Sequence, residues 1–177
     1  GIVRSEFHEM MFGKKIINAF EEIKDIFDNK NLLNPGKIVR PYKSNDRSLM
    51  RYKSGYQAND ITTHYDWSNW GQFSDAVEMC NNNGACRKLD SGVMCPSYRV
   101  TKEEKDLVRG RANTLRLALS NQLPEGSFAS KEMYETMELC VSCKACQREC
   151  PMSVDMAKMK SEFLSHYYKK FNMPIKD

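Results

Sequence analysis

Cys140-Val-Ser-Cys143-Lys-Ala-Cys146-Gln-Arg-Glu-Cys150-Pro151 is an unbroken C-x2-C-x2-C-x3-C-P run. Three thiolates at two-residue separations can wrap one iron–sulfur cube. The fourth, set one residue further on and turned away before a proline, reaches a second cube. The proline ends the binding turn, and its fixed φ holds the direction of exit. Two other chemistries stay open at this point. Zinc prefers two separated cysteine pairs or Cys/His mixtures, and a disulfide framework needs an oxidising compartment and seldom spaces four cysteines so tightly.

If Cys150 serves another cluster, a second cysteine group must exist, and it lies upstream. Cys80-Asn-Asn-Asn83-Gly-Ala-Cys86 is followed after eight residues by Cys95-Pro96. Set against the complete run, Cys80 and Cys86 hold the first and third places, Cys95 the fourth, and Asn83 the second. Two four-ligand sites with one replacement account for the odd total of seven cysteines. The swapped-fourth-ligand logic gives one 4Fe-4S cluster to Cys140, Cys143, Cys146 and Cys95. The other takes Cys80, Cys86 and Cys150, as a 3Fe-4S cluster or as a 4Fe-4S cluster completed by Asn83, Asp90 or a group outside the chain. Lys144, Arg148, Arg87, Lys88 and Arg99 neighbour these anionic sites, and nearby cations raise a cluster's potential. Thiolate-bound clusters also require reducing conditions during assembly, which places the chain in the cytoplasm, the inner face of a membrane included.

The surrounding chain reads as helical. At 177 residues, 41% hydrophobic and 28% charged, it needs no covalent staples to build a core. No membrane span, signal peptide or dense Lys/Arg stripe for nucleic acid is present. Ile16, Phe20, Ile23 and Phe27 line one face of a helix running from Gly13 to a stop at Asn34-Pro35-Gly36. Residues 42–75 read as a linker and aromatic covering segment, with a weak strand signal at Ile61–Tyr65. Beyond it, Ser74 opens a short helix to Met79, and Thr101-Lys102-Glu103-Glu104 has a capping-box pattern ahead of a Val108, Ala112, Leu115, Leu119 stripe. Ser130 and Asp155 start two further helices, the last carrying Met156, Met159, Phe163 and Tyr167. His8, His64 and His166 show no ligand spacing and read as structural. The first residue is Gly, so the chain is expected to be a piece of a longer protein.

With residues 1–13 (GIVRSEFHEMMFG), 27–39 (FDNKNLLNPGKIV), 80–120 and 138–164 in view, the chain resembles the FAD-linked D-2-hydroxyacid dehydrogenases fused to an iron–sulfur oxidoreductase module. These have the vanillyl-alcohol-oxidase flavin fold and are related to glycolate oxidase and D-lactate dehydrogenase. The resemblance implies a mostly α chain, in which an α-helical two-cluster ferredoxin domain at 76–177 follows the tail of an α+β FAD-linked oxidase domain at 1–41. It implies FAD in the full-length protein, with Asn34 near the flavin and Arg4 on the substrate side. The implied partners are the rest of the flavin domain, a downstream cysteine-rich module and an external electron acceptor. The implied reaction is hydride transfer from C2 of a D-2-hydroxy acid to the flavin, then single-electron steps through the clusters. The competing class is an independent ferredoxin-like subunit of the heterodisulfide-reductase or glycerol-3-phosphate dehydrogenase type, which would not carry the Leu33–Lys37 flavin-tail pattern.

Overall fold

Asp155 opens the last helix as its sequence position predicts. Its carboxylate accepts the Lys158 N–H at 3.0 Å, satisfying one of the four N–H groups that a helix leaves without an internal partner. Ser130 does the same for Met133 at 3.2 Å. The computed structural model describes residues 1–48 and 50–173. Position 49 of the covering segment and residues 174–177 at the end of the expected cysteine-rich domain lie outside that range. The chain forms two units, 1–56 and 57–177, and no strand occurs among the described residues. The mostly α architecture is therefore as expected.

The second unit packs the helices α4 (Phe73–Glu78), α5 (Pro96–Thr101), α6 (Val108–Leu119), α7 (Lys131–Glu138), α8 (Ala145–Glu149) and α9 (Met156–Lys170). Each longer helix turns one apolar stripe inward. On α6 the stripe is Val108, Ala112, Leu115 and Leu119, on α7 Met133 and Met137, and on α9 Met156, Met159 and Phe163, all buried. An aromatic line joins the elements. Phe73 meets Trp67 edge-on at 4.9 Å, and Phe128 bridges Phe73 at 6.0 Å to Phe163 at 6.3 Å.

Residues 57–75 lie over this core. The expected strand at Ile61–Tyr65 does not form, because the backbone donors there have a different acceptor. The fully buried Glu162 carboxylate takes the N–H groups of His64 at 2.7 Å and Tyr65 at 3.0 Å, and the Trp67 indole N–H at 2.9 Å. His166 Nε2 lies 3.2 Å from the same carboxylate. Burial pushes the Glu162 carboxyl up, but these donors outweigh it and hold it below its ordinary value. Lys158 adds a cation over the Trp67 ring at 4.2 Å, and Asn59 donates its N–H to Leu119 O at the end of α6.

Two helix boundaries differ from the expectation. The capping box at Thr101 does not operate, because Thr101 is the last residue of α5. Its hydroxyl donates to Ser97 O at 3.2 Å and accepts the Glu103 N–H at 3.3 Å, and α6 starts only at Val108. In the first unit, α1 (Ile2–Ser5) and α2 (His8–Phe12) precede α3 (Lys14–Phe27), which ends seven residues before Asn34. The buried Asp28 stops it by accepting the Leu32 and Leu33 N–H groups at 2.9 and 2.8 Å, and by pairing with Lys24. The Lys24 ammonium and these two amides hold the Asp28 carboxyl down to about 2. Among the described residues no helix is long and apolar enough to cross a membrane.

Candidate metal centre

The two cysteine loops share one backbone. In the second, Ser142 (φ 54°) and Lys144 (φ 59°) are left-handed, and Lys144 caps the helix α8 that carries Cys146. In the first, Asn82 (φ 64°) and Gly84 (φ 79°) are left-handed, and Gly84 caps the short turn Ala85–Arg87 that carries Cys86. Counting from Cys80 and from Cys140, the left-handed residues fall at the same third and fifth places, so Asn83 stands where the other loop has Cys143. An L residue at positive φ is strained unless neighbours hold it, and here α6 does so: Asn113 donates its side-chain amide to Asn82 Oδ1 at 2.8 Å. The Asn83 carboxamide is engaged within its own loop, accepting the Ala85 N–H at 2.8 Å and donating to Asn81.

Folding brings Cys95, at the start of α5, against the second loop. Cys95, Cys140, Cys143 and Cys146 wall one partly enclosed cavity of about 330 Å3 empty volume, together with Val108, Arg111 and Met156. Cys80, Cys86 and Cys150 do not line it. Cys80 and Cys86 are near enough that charge on one opposes ionisation of the other, while Cys150 is half-buried against the same core. All seven cysteines are free thiols. Among the described residues no three Cys, His, Asp or Glu side chains converge on one point as a single bound ion requires.

Three of the sulfurs sit at helix N-termini. Val108 N–H, the first of α6, donates to Cys95 Sγ at 3.2 Å, and the next amide, Arg109 N–H, bonds Cys86. Met156 N–H, the first of α9, bonds Cys146. These amides would otherwise lack helical partners, and the helix dipole favours negative charge there. Burial works the other way and wins: it pushes the Cys95 thiol up to about 12 despite the Val108 amide, and it raises Cys86 and Cys146 as well. Each is a neutral thiol until a metal takes the place of its proton.

A buried arginine and a half-buried lysine back this wall. Arg111, 2% exposed, donates to Thr136 O at 2.9 Å, Asp106 O at 2.7 Å and Ser97 Oγ at 3.3 Å, and lies 3.6 Å from the buried Asp106 carboxylate. Lys160 on α9 donates to Cys140 O at 2.6 Å and Glu138 O at 3.0 Å. Burial pulls its ammonium below its ordinary value. Neither cation was singled out from the sequence, nor were the donor amides. The helical stripes located the helices but carried no sign that two of their N-termini face sulfur.

Among the other sequence-derived candidates, Lys144 lies 4.0 Å from Asp155 and Arg87 4.0 Å from Glu104, both at solvent-exposed edges. Lys88 and Arg148 are exposed. In the first unit, Asn34 is exposed and left-handed (φ 49°), and stands on the wall of an apolar groove lined by Phe20, Ile23, Phe27, Leu33 and Ile38. Arg4 is exposed on α1.

Residues 76–154 match the family described as 4Fe-4S dicluster domain, and residues 1–38 match FAD linked oxidases, C-terminal domain. Three curated relatives carry the name D-2-hydroxyglutarate dehydrogenase. The chain is 30% identical to that of Pseudomonas putida over 99% of its own length, 28% identical to that of Escherichia coli over 98%, and 30% identical to that of Haemophilus influenzae over 99%. It spans about one fifth of the length of each, 20%. No solved structure matches it.

Proposed function

We propose that this chain, which joins the end of an FAD-linked oxidase domain to a 4Fe-4S dicluster module, is the electron-relay segment of a flavin- and iron–sulfur-dependent dehydrogenase acting on a D-2-hydroxy acid. The names of the relatives point to a 2-hydroxyglutarate-type substrate. In this reading residues 1–41 close the flavin domain, 42–75 connect and cover, and 76–177 hold the clusters. The remaining flavin domain and a further cysteine-rich module belong to the same protein. The match at 1–38 favours this fused arrangement over an independent ferredoxin-like subunit. Reducing conditions for the thiolates favour the cytoplasm, with attachment at the inner membrane face compatible.

The observation that carries the reading is the cavity that gathers Cys95 with Cys140, Cys143 and Cys146. That Cys95, 45 positions before Cys140, lines the same cavity as the run supports the swapped-ligand arrangement. Cys80, Cys86 and Cys150 would hold the second cluster, as three irons or as four with a non-cysteine ligand. When bound, such clusters supply one-electron steps, which suits a flavin that collects two electrons at once. The chain's own part is to position and tune. Cys95, Cys86 and Cys146 receive helix N-terminal amides, and Arg111 and Lys160 stand behind the wall. Hydrogen bonds to cluster sulfurs and nearby cations both raise the potential. On the flavin side, Asn34 would turn its carboxamide toward the cofactor from the groove wall.

Anaerobic loading with iron and sulfide, followed by iron counting and EPR, tests this. The expected result is two clusters per chain, with Cys95→Ala removing roughly half the iron. Binding of a single zinc or iron ion per chain, or full iron content in Cys95→Ala, overturns it.

A further inference from the structure

We infer that the surface around Cys143 is the docking site of an acidic one-electron carrier protein. The inference rests on the reading that Cys95, Cys140, Cys143 and Cys146 hold a cluster. Of these four, Cys95 and Cys146 are buried and Cys140 is half-buried, while Cys143 is exposed. A cluster in that cavity therefore comes nearest to solvent at its Cys143 corner, and an electron leaving it for an outside carrier has its shortest path there.

The surroundings of that corner are concave and cationic. One cleft of about 700 Å3 is lined by Cys143 with Val93, Pro96, Lys144, Gln147 and Arg148. A second of about 700 Å3 shares Arg148 and adds Lys88, Arg99 and Glu149. The two clefts thus hold four cations and the carboxylate of Glu149, with Lys144 also lying 4.0 Å from the buried Asp155 carboxylate. Glu149 accepts the Val93 and Met94 N–H groups, each at 3.0 Å. Arg99 donates to the neutral carbonyls of Leu89, Ser91 and Gly92, so its charge, like that of Glu149, is kept in the cleft, where cations outnumber the carboxylate. Among the described residues neither Lys88 nor Arg148 forms an ion pair. Val93 (57% exposed) and Val141 (67%) supply bare apolar surface beside the corner.

An apolar centre with a cationic rim is complementary to an acidic protein. Rim charge of this kind sets encounter rate and orientation more than affinity, which suits the small, short-lived interfaces of electron-transfer partners. The chain as a whole carries only +4, so the attraction is local and not a property of net charge. When bound and reduced, a cluster held by these cysteines would supply one electron to the oxidised carrier, which would be reduced by one as the cluster is oxidised by one, with no bond formed or broken.

The test uses the cluster-loaded, dithionite-reduced chain in stopped flow, with two protein oxidants of opposite charge: oxidised plastocyanin, which is acidic, and oxidised cytochrome c, which is basic. At low salt, Lys88→Glu with Arg148→Glu is expected to slow plastocyanin reduction at least tenfold and to leave cytochrome c no slower. The difference should collapse near 1 M salt, where screening acts within about 3 Å. Lys131→Glu with Lys169→Glu makes the same change of net charge on residues lining neither cleft, and should not alter the plastocyanin rate. If the reversed pair fails to load, Lys88→Gln with Arg148→Gln reads the same surface, with a smaller slowing expected. An unchanged plastocyanin rate, equal slowing by the control pair, or equal slowing with both oxidants overturns the docking site while leaving the cluster reading intact. Failure of the unaltered chain to take up iron and sulfide removes the cluster reading, and the docking site with it.

Discussion

Asn83 shows how much chemistry one side chain can redirect. Its loop has the same left-handed third and fifth residues as the loop of Cys143, so a thiol placed there needs no new backbone. Asn83→Cys is expected to slow the loss of iron from the second cluster on exposure to air, read as the decay of visible absorbance, because every corner would then carry a thiolate. An unchanged rate would mean that position 83 faces away from that cluster. Asn83 was legible in the sequence because ligand spacing is a local property of the chain. Arg111 and Glu162 were not, because a charge buried by tertiary packing looks like any surface charge when read along one dimension.

Glu162 extends the same point to pH. Its folded pKa is held below the ordinary 4.5, so the unfolded chain binds more protons just below that pH. Its contribution is complete above about pH 4.5 and is lost as pH falls through the folded value. Glu162→Gln keeps one acceptor oxygen but turns the other into an amide NH2 that faces buried N–H donors, and should cost about 1–3 kcal/mol at pH 7. The variant's stability, measured by urea titration at several pH values, should also fall less steeply below pH 4.5 than that of the unaltered chain. Parallel curves would contradict the assignment.

At the scale of elements, the decisive arrangement is two helices beginning at sulfur. The start of α6 depends on Gly110, because a Cβ there would overlap Glu104 O in the preceding turn. Gly110→Ala should therefore destabilise the second unit by about 1–3 kcal/mol, as overpacking does. It should also weaken cluster retention by shifting the Val108 and Arg109 amides, and chemical denaturation with iron counting would detect both effects. A purely helix-propensity effect would instead stabilise. Helix stripes and the Ser130 and Asp155 caps were readable because they are periodic or adjacent. The end of α3 and the start of α6 were misread where a side chain found a nearer backbone partner, Asp28 in one case and Thr101 in the other.

At the scale of the molecule, the two units differ in what holds them. The second surrounds its cysteines with a continuous core. The first leaves Met10, Ile26, Phe27 and Leu32 largely exposed, and its groove is apolar. If clusters bind the folded second unit and not the unfolded chain, they stabilise that unit by mass action. Stripping iron with a chelator should then lower the melting temperature of one transition in calorimetry and leave the other in place. A single transition shifting as a whole would show that the units melt together.

The cavity that joins Cys95 to the 140–146 loop also has a meaning in time. Ribosomes add roughly 5–20 residues per second, and Cys146 lies 51 positions after Cys95. Roughly 3–10 s therefore pass between the synthesis of the first wall of the cavity and the last. Throughout that interval the nascent chain carries Cys80, Cys86 and Cys95 with no completed cage to receive them. For this polypeptide, cofactor insertion has to follow the emergence of the second loop, so assembly factors would meet a chain that already carries both cysteine loops.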